Sequence, residues 1–226
     1  MENSSINWGV NKRNTWFIVG TQVMMMIWSL GSSILKAGPT SAAIITYLVF
    51  GAFIIYGVIT RSRLIFLLLV FGLTGGVLEL IADHYSVATI NALIYPGNEP
   101  MVVSSPLYMP FAWANVFVQL GYYSLLLIRW KGILMASIIM AVAGGMYIPF
   151  YENFAKDAGW WWYENVSMIW NAPYYIIICE ALISLLLPVC IYLIVKRKSF
   201  LIALILGVLE GLWIWGSAIL AYFIAP

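Results

Sequence analysis

Seven stretches of about twenty mostly apolar residues occupy about two thirds of this 226-residue chain, and that feature restricts its folds more than any other. They run approximately over 15 to 35, 40 to 60, 64 to 84, 109 to 128, 132 to 154, 173 to 195 and 199 to 223. Each is long enough to cross the hydrocarbon of a bilayer as a helix, which takes roughly 20 residues. With 63% hydrophobic and only 9% charged residues, a chain of this length cannot hide its apolar surface in a water-soluble core. The expectation is an all-α, polytopic membrane protein whose residues 1–226 form a single domain of seven transmembrane helices. The polar N-terminus MENSSINWGVNKRN leads into a full-length span without a small-residue cleavage site, so no removed signal peptide is expected.

The basic residues give an orientation. Lys12, Arg13, Arg61, Arg63, Arg129, Lys131, Lys196, Arg197 and Lys198 fall on one face of the seven-span arrangement, and only Lys36 and Lys156 on the other. Lys and Arg beside helix ends favour the cytoplasmic side, which puts the N-terminus in the cytoplasm and the C-terminus outside. The expected location is the cytoplasmic membrane of a bacterium. The net charge of +2 therefore reports topology. No aromatic-interleaved basic patch supports nucleic-acid binding. Cys179 and Cys190 are 11 residues apart on one span, about 16 Å along a helix and too far for a disulfide. With one histidine, His84, a zinc site of the usual ligands is not expected.

Two outer loops are long, at about 85–108 and 155–172. In the first, TINALIYPGNEPMVVSS predicts a hairpin around Pro-Gly-Asn. The second carries Trp160, Trp161, Trp162, Tyr163 and Trp170, dense enough for a lid, although interfacial anchoring accounts for isolated tryptophans. An internal repeat is also visible. Gly75-Gly76 is followed seven residues later by Asp83 and then by a loop ending Ser105-Pro106-Leu107-Tyr108. Gly144-Gly145 is followed at the same spacing by Glu152 and then by Ala172-Pro173-Tyr174-Tyr175. Gly76-Val77-Leu78-Glu79 recurs as Gly207-Val208-Leu209-Glu210.

Five of the nine acidic residues, Glu79, Asp83, Glu152, Glu180 and Glu210, lie within spans or at their outer ends. A carboxylate there costs a few kcal/mol, so such residues face the bundle interior and mark functional sites. Helical rise places all five in the outer half. No lysine or arginine occupies a span interior, and without a cation some of these acids are expected as neutral carboxyl groups. A neutral acid in an apolar pocket is a proton donor toward a poor base such as an alkene or epoxide. Tyr108, Asn115, Gln119 and Tyr122 form one stripe on the fourth helix. Trp213 lies one turn beyond Glu210, Tyr147 and Tyr151 share a face beside Glu152, and Trp113 is near the outer end of the fourth helix. With Trp162 and Tyr175, these are the candidate substrate-lining residues; aromatic faces attract carbocations without quenching them. The pattern points to proton-initiated carbocation chemistry on an apolar substrate from the lipid. The same acids could relay protons in a transporter, or hydrogen-bond between helices in a lipid-binding protein. A diphosphate substrate is disfavoured by the lack of an outer Arg or Lys cluster or an aspartate-rich metal motif.

In its helix count, size and paired acids on helices three and seven, the chain resembles the small integral-membrane terpene cyclases. The similarity is one of design. It implies protonation of a polyprenyl epoxide or olefin by buried acids, with Glu79 or Asp83 as donor and Glu210 in donation or final deprotonation. From Gly145 to Pro188, MYIPFYENFAKDAG and NAPYYIIICEALISLLLP resemble the emopamil-binding family of sterol isomerases. That family has fewer spans, and also protonates an alkene inside a membrane cavity. A retinal protein needs a lysine in the last helix, and LIALILGVLEGLWIWGSAILAYF has none. The expected general acid is Asp83 or Glu79, with Glu210, Glu152 and Glu180 supporting it or collecting the final proton. His84 is placed to tune Asp83. The expected partner is an isoprenoid or sterol-like lipid, and the scheme calls for no metal or organic cofactor.

Overall fold

The computed structural model describes residues 8–226. It is all-α, with six helices long and apolar enough to cross a membrane, and the chain is a membrane protein. Helix α1 spans Lys12–Leu35, with the Asn11 side chain accepting from the Asn14 amide at its start. Helix α2 spans Pro39–Thr60, and α3 spans Arg63–His84 before widening into a π-helical turn, Tyr85–Thr89. Helix α4 spans Met109–Ala158, α5 Tyr174–Arg197 and α6 Phe200–Ile224. The helices end in left-handed caps at Lys36, Arg61 and Lys198, so α1 to α2, α2 to α3 and α5 to α6 reverse within a few residues.

Helix α4 has 50 residues, and a straight helix of that length would measure about 75 Å, more than twice a bilayer core. It is interrupted at Gly132, where φ is 81° and ψ 171°, a conformation that glycine adopts at little cost. The contacts show a reversal there. Near its start, Pro110 abuts Gly76 towards the C-terminal end of α3, and Gly121 packs on Leu68 towards the N-terminal end. Tyr122 then bonds Thr15 at the beginning of α1 (2.9 Å), whereas Ala158 accepts from Gly38, beyond the far end of α1, at 2.8 Å. The arm 109–131 descends beside α3, and the arm 133–158 returns.

Small two-residue ladders organise the outer loops. Strand β1, Leu93–Ile94, pairs antiparallel with β4, Trp162–Tyr163, joining the two loops. Strand β2, Met101–Val102, pairs with β3, Ser105–Pro106, and β5, Met168–Ile169, with β6, Ala172–Pro173. The hairpin expected around Pro96-Gly97-Asn98 is thus corrected: its turn is Val103-Ser104, and Leu93–Ile94 finds its partner in the other loop.

The repeat extends to individual contacts. A methyl group added at Gly76 would strike the Pro110 carbonyl, and one at Gly145 would press on that of Ile177; Gly75 likewise abuts Phe117, and Gly144 abuts Ser184. Val103 and Trp170 both have φ of 55° at the same place in their hairpins. Leu107 N donates to Pro100 O (2.8 Å) as Tyr174 N does to Ser167 O (3.0 Å). The pairs Leu93 with Tyr163 and Ile94 with Trp162 interchange when the two units are exchanged, so a pseudo-two-fold axis passes between β1 and β4. The α3–α4 unit and the α4–α5 unit are therefore two copies of one helix, loop, hairpin and helix. Asp83 corresponds to Glu152, and Tyr108 to Tyr175. Helix α6 packs on α3 separately, with Gly207 against the Phe71 carbonyl and Gly211 against Leu78.

Candidate functional site

Four acids lie within electrostatic range of one another between the two units. Asp83, 7% exposed, closes α3, where its Oδ2 accepts from the Tyr95 hydroxyl at 2.6 Å and from Ser105 Oγ at 2.7 Å. One turn below, Glu79 is within interaction range of Asp83 and of the Trp113 indole, and at longer range of Glu180. Its Oε2 has no hydrogen-bond partner among the described residues, and neither has the buried Tyr108 hydroxyl. From the second unit, Glu152 Oε2 accepts from Trp161 Nε1 at 2.6 Å, and its carboxyl feels both Glu180 and Asp83. Glu180, on α5, is half-buried. No lysine or arginine is among the buried residues, so the acids must be accommodated by hydrogen bonds, by aromatic edges and by protons.

The aromatic residues beside these acids are only in part the ones expected to line a substrate. Tyr151 stands beside Trp160 and Trp161, with ring centroids 6.4 and 5.8 Å away, and Tyr175 contacts Tyr163 and Tyr222 at 6.4 and 5.6 Å. Trp162 turns outward and donates to Glu164 (3.0 Å), because alternation along β4 puts Trp161 and Tyr163 on the other side. Tyr147 is 41% exposed and only stacks on Tyr151. Trp213 donates to the Leu182 carbonyl (3.0 Å) and so ties α6 to α5.

The polar stripe on α4 is buried as expected, but beyond Tyr108 it faces α1 and α2. Asn115 donates to Thr46 O at 2.9 Å, Gln119 to Thr21 Oγ1 at 3.2 Å, and Tyr122 bonds Thr15. Glu210 also lies apart from the four acids. Its Oε2 accepts from Cys190 Sγ at 3.4 Å, and roughly 16 Å of α5 separates Cys190 from Cys179, the thiol that senses Glu79 and Glu180. His84 turns from Asp83 to Ser104, 2.8 Å away, at the exposed surface. Among the described residues, no three of His, Cys, Asp and Glu are grouped so as to hold a metal ion.

Against this geometry, comparison with known proteins gives one result: a family model described as a domain of unknown function, DUF6989, matches residues 80–225. The chain belongs to the DUF6989 family. No curated protein and no solved structure matches it. The DUF6989 match begins within α3, so it includes Asp83, Glu152, Glu180 and Glu210 together with both outer loops, and it excludes α1, α2 and Glu79.

The residues that hold the DUF6989 acids, Tyr95, Ser105, Trp161 and Tyr163, are not marked by any motif. The usable signals were the serine of Ser105-Pro106, which opens the hairpin strand beside Asp83, and the alternation within the tryptophan run. Burial, then the negative charges of Asp83 and Glu79, push the Tyr95 phenol well above the ordinary tyrosine value. Burial followed by Glu152 does the same to Tyr163. Both therefore remain O–H donors at neutral pH. Above about pH 10 the unfolded chain releases phenolic protons that the folded chain retains, so stability is expected to fall as pH rises through that value. Thermal unfolding at about pH 8 and about pH 11 checks this, with Tyr95→Phe expected to recover part of the alkaline loss. An equal loss in the variant would contradict the assignment.

Proposed function

We propose that this chain crosses the membrane seven times and is an enzyme that protonates an alkene or epoxide of an apolar isoprenoid, then directs cyclisation or isomerisation of the carbocation. The observation that carries this reading is the convergence of Glu79, Asp83, Glu152 and Glu180 beside Trp113, Trp161 and Tyr151, with no buried cation to neutralise them. In this scheme the Glu79–Asp83 pair shares a proton and delivers it to the substrate. Hydrogen bonds from Tyr95 and Ser105 stabilise the carboxylate left behind and so favour donation. The aromatic faces contribute about 0.5–2 kcal/mol each to holding the cation. Glu152 with Glu180 takes the final proton and gives it up to solvent, from which the Glu79–Asp83 pair is reprotonated, so the net change is redox-neutral and proton-neutral. The substrate is an isoprenoid or sterol-like lipid that arrives from the bilayer. The protein belongs to the cytoplasmic membrane of a bacterium, with its N-terminus inside and its C-terminus outside.

Membranes containing the protein, incubated with linear polyprenes and their epoxides in D2O, should yield an isomerised or cyclised product carrying one solvent deuteron on carbon. Conversion without deuterium, or no conversion of any isoprenoid, would exclude the reaction. The crossings have their own test. Reversal at Gly132 supports an even number of passes between Lys36 and Lys156, and both should react from outside, as Lys36→Cys and Lys156→Cys, with a membrane-impermeant maleimide. Arg129→Cys should react only after permeabilisation; Cys179 and Cys190 are each 4% exposed and form a silent background. Labelling of Arg129→Cys from outside would contradict the topology.

A proton-coupled carrier is the second reading, and the depth of Glu210 favours it, since with Cys190 it extends the line of acids away from the outer cluster. Reconstituted vesicles with an imposed pH gradient would then accumulate substrate unchanged, whereas the enzyme converts it without a gradient.

A further inference from the structure

At the end of the bundle remote from the acids, Arg13 of α1, Arg63 of α3 and Lys198 after α5 line one cavity of about 360 Å³, within the size range of small-ligand sites. Some 24 Å of α3 lies between Arg63 and Glu79, so this cavity is separate from the carboxyl cluster. Its other polar lining comes from Asn11, Asn14, Thr60 and Ser62, and among the described residues none of the lining is acidic.

All three cations are exposed, and the two guanidinium groups are tethered. Arg63 Nη2 donates to the Lys198 carbonyl at 2.6 Å, and its guanidinium lies 5.7 Å from the centre of the Phe200 ring. Arg13 interacts with the Tyr56 phenol, which donates to Asn14 Oδ1 at 2.7 Å, and Asn14 Nδ2 in turn donates to the Gly9 carbonyl at 2.8 Å. Helices α1 and α3 both begin at this cavity, at Lys12 and Arg63, so their positive dipole ends add to the same field. Membrane orientation calls for basic residues on this face but not for their grouping. Arg61, Arg129, Lys131, Lys196 and Arg197 share the face and none of them lines the cavity.

We propose that this cavity binds a phosphate group, carried either by an anionic lipid headgroup or by a free phosphate compound. Two guanidinium forks and an ammonium suit the several oxygens of a phosphate, which arginine engages bidentately. A carboxylate offers fewer acceptors, and a neutral headgroup leaves three like charges unrelieved. The site does not depend on the chemistry proposed for the acids.

The test uses the full-length protein in nanodiscs of phosphatidylcholine alone, or of phosphatidylcholine mixed with phosphatidylglycerol. Thermal unfolding is followed in each, and in the neutral discs with added inorganic phosphate or pyrophosphate. The wild type should be stabilised either by phosphatidylglycerol, identifying a lipid headgroup, or by soluble phosphate in neutral discs, identifying a free compound. Arg13→Gln and Lys198→Gln should each weaken the apparent affinity about tenfold or more, the loss expected for a hydrogen bond to a charged group. Arg129→Gln, which removes the same charge outside the cavity, should change nothing. Arg63→Gln also breaks the bond to the Lys198 carbonyl, so the first two variants carry the result if it fails to fold. Absence of stabilisation by every phosphate source would overturn the proposal, as would an equal loss in Arg129→Gln.

Discussion

Asp83→Asn is expected to reduce isoprenoid turnover by a factor of about 10²–10⁴, the usual contribution of a positioned general acid. The amide keeps the size and much of the hydrogen bonding of the carboxyl, so its expected effect on unfolding temperature is small beside its effect on rate. Two further substitutions separate chemistry from packing. Tyr95→Phe and Ser105→Ala each remove a donor to Asp83 Oδ2, and each should slow turnover by about tenfold or more, because a hydrogen bond to a charged group contributes roughly 1.5–3 kcal/mol. Product profiles by mass spectrometry, with deuterium incorporation from solvent, provide the readout. If Asp83→Asn consumes substrate at the wild-type rate and still incorporates deuterium, the acid lies elsewhere. Glu210→Gln should leave protonation intact, since Glu210 sits with Cys190 rather than with the cluster.

The second large effect concerns stability. Gly76→Leu should abolish accumulation of folded protein, and Gly76→Ala should destabilise by about 1–3 kcal/mol, the usual range for overpacking. At Gly76 the obstacle is the backbone of Pro110, which cannot rotate aside as a side chain can. Displacing it would shift the start of α4 and, with it, Tyr108 and the hairpin that presents Ser105 to Asp83. Gly216→Leu is the control, because a Cβ there meets nothing within 4 Å and the position can face lipid. Extraction yield and unfolding temperature in one detergent compare the two. Equal behaviour of Gly76→Leu and Gly216→Leu would mean that α3 and α4 do not approach as described.

The helices were legible because hydrocarbon thickness fixes their length and basic residues punctuate their ends. Even the break at Gly132 was signalled by Arg129-Trp130-Lys131-Gly132 interrupting the apolar run. The glycine pairs also pointed correctly to a duplicated unit. The matching tetrapeptide at Glu210 misled, since identity along a helix does not fix which neighbour a side chain reaches, and Glu210 reaches Cys190. Periodicity likewise put Asn115, Gln119 and Tyr122 on a buried face, but could not distinguish burial against α1 and α2 from burial against the acids. The hairpin was misplaced because Pro96-Gly97-Asn98 has strong turn chemistry. The actual turn instead holds Val103 at φ 55°, a position that β-branched residues avoid. Among three consecutive tryptophans, sidedness depended on pairing with the other loop, a long-range fact that local sequence does not contain.

The pairing of Leu93–Ile94 with Trp162–Tyr163 makes the two roofs of the duplicated units a single hinged plate. A ladder of two residues per strand has little stability of its own, so it can part at small cost. When it does, Tyr95 and Trp161, which anchor Asp83 and Glu152 from opposite sides of that seam, are loosened in the same event. The donors to Asp83 and Glu152 thus depend on one short ladder, so a substitution that weakens it should loosen both acids together.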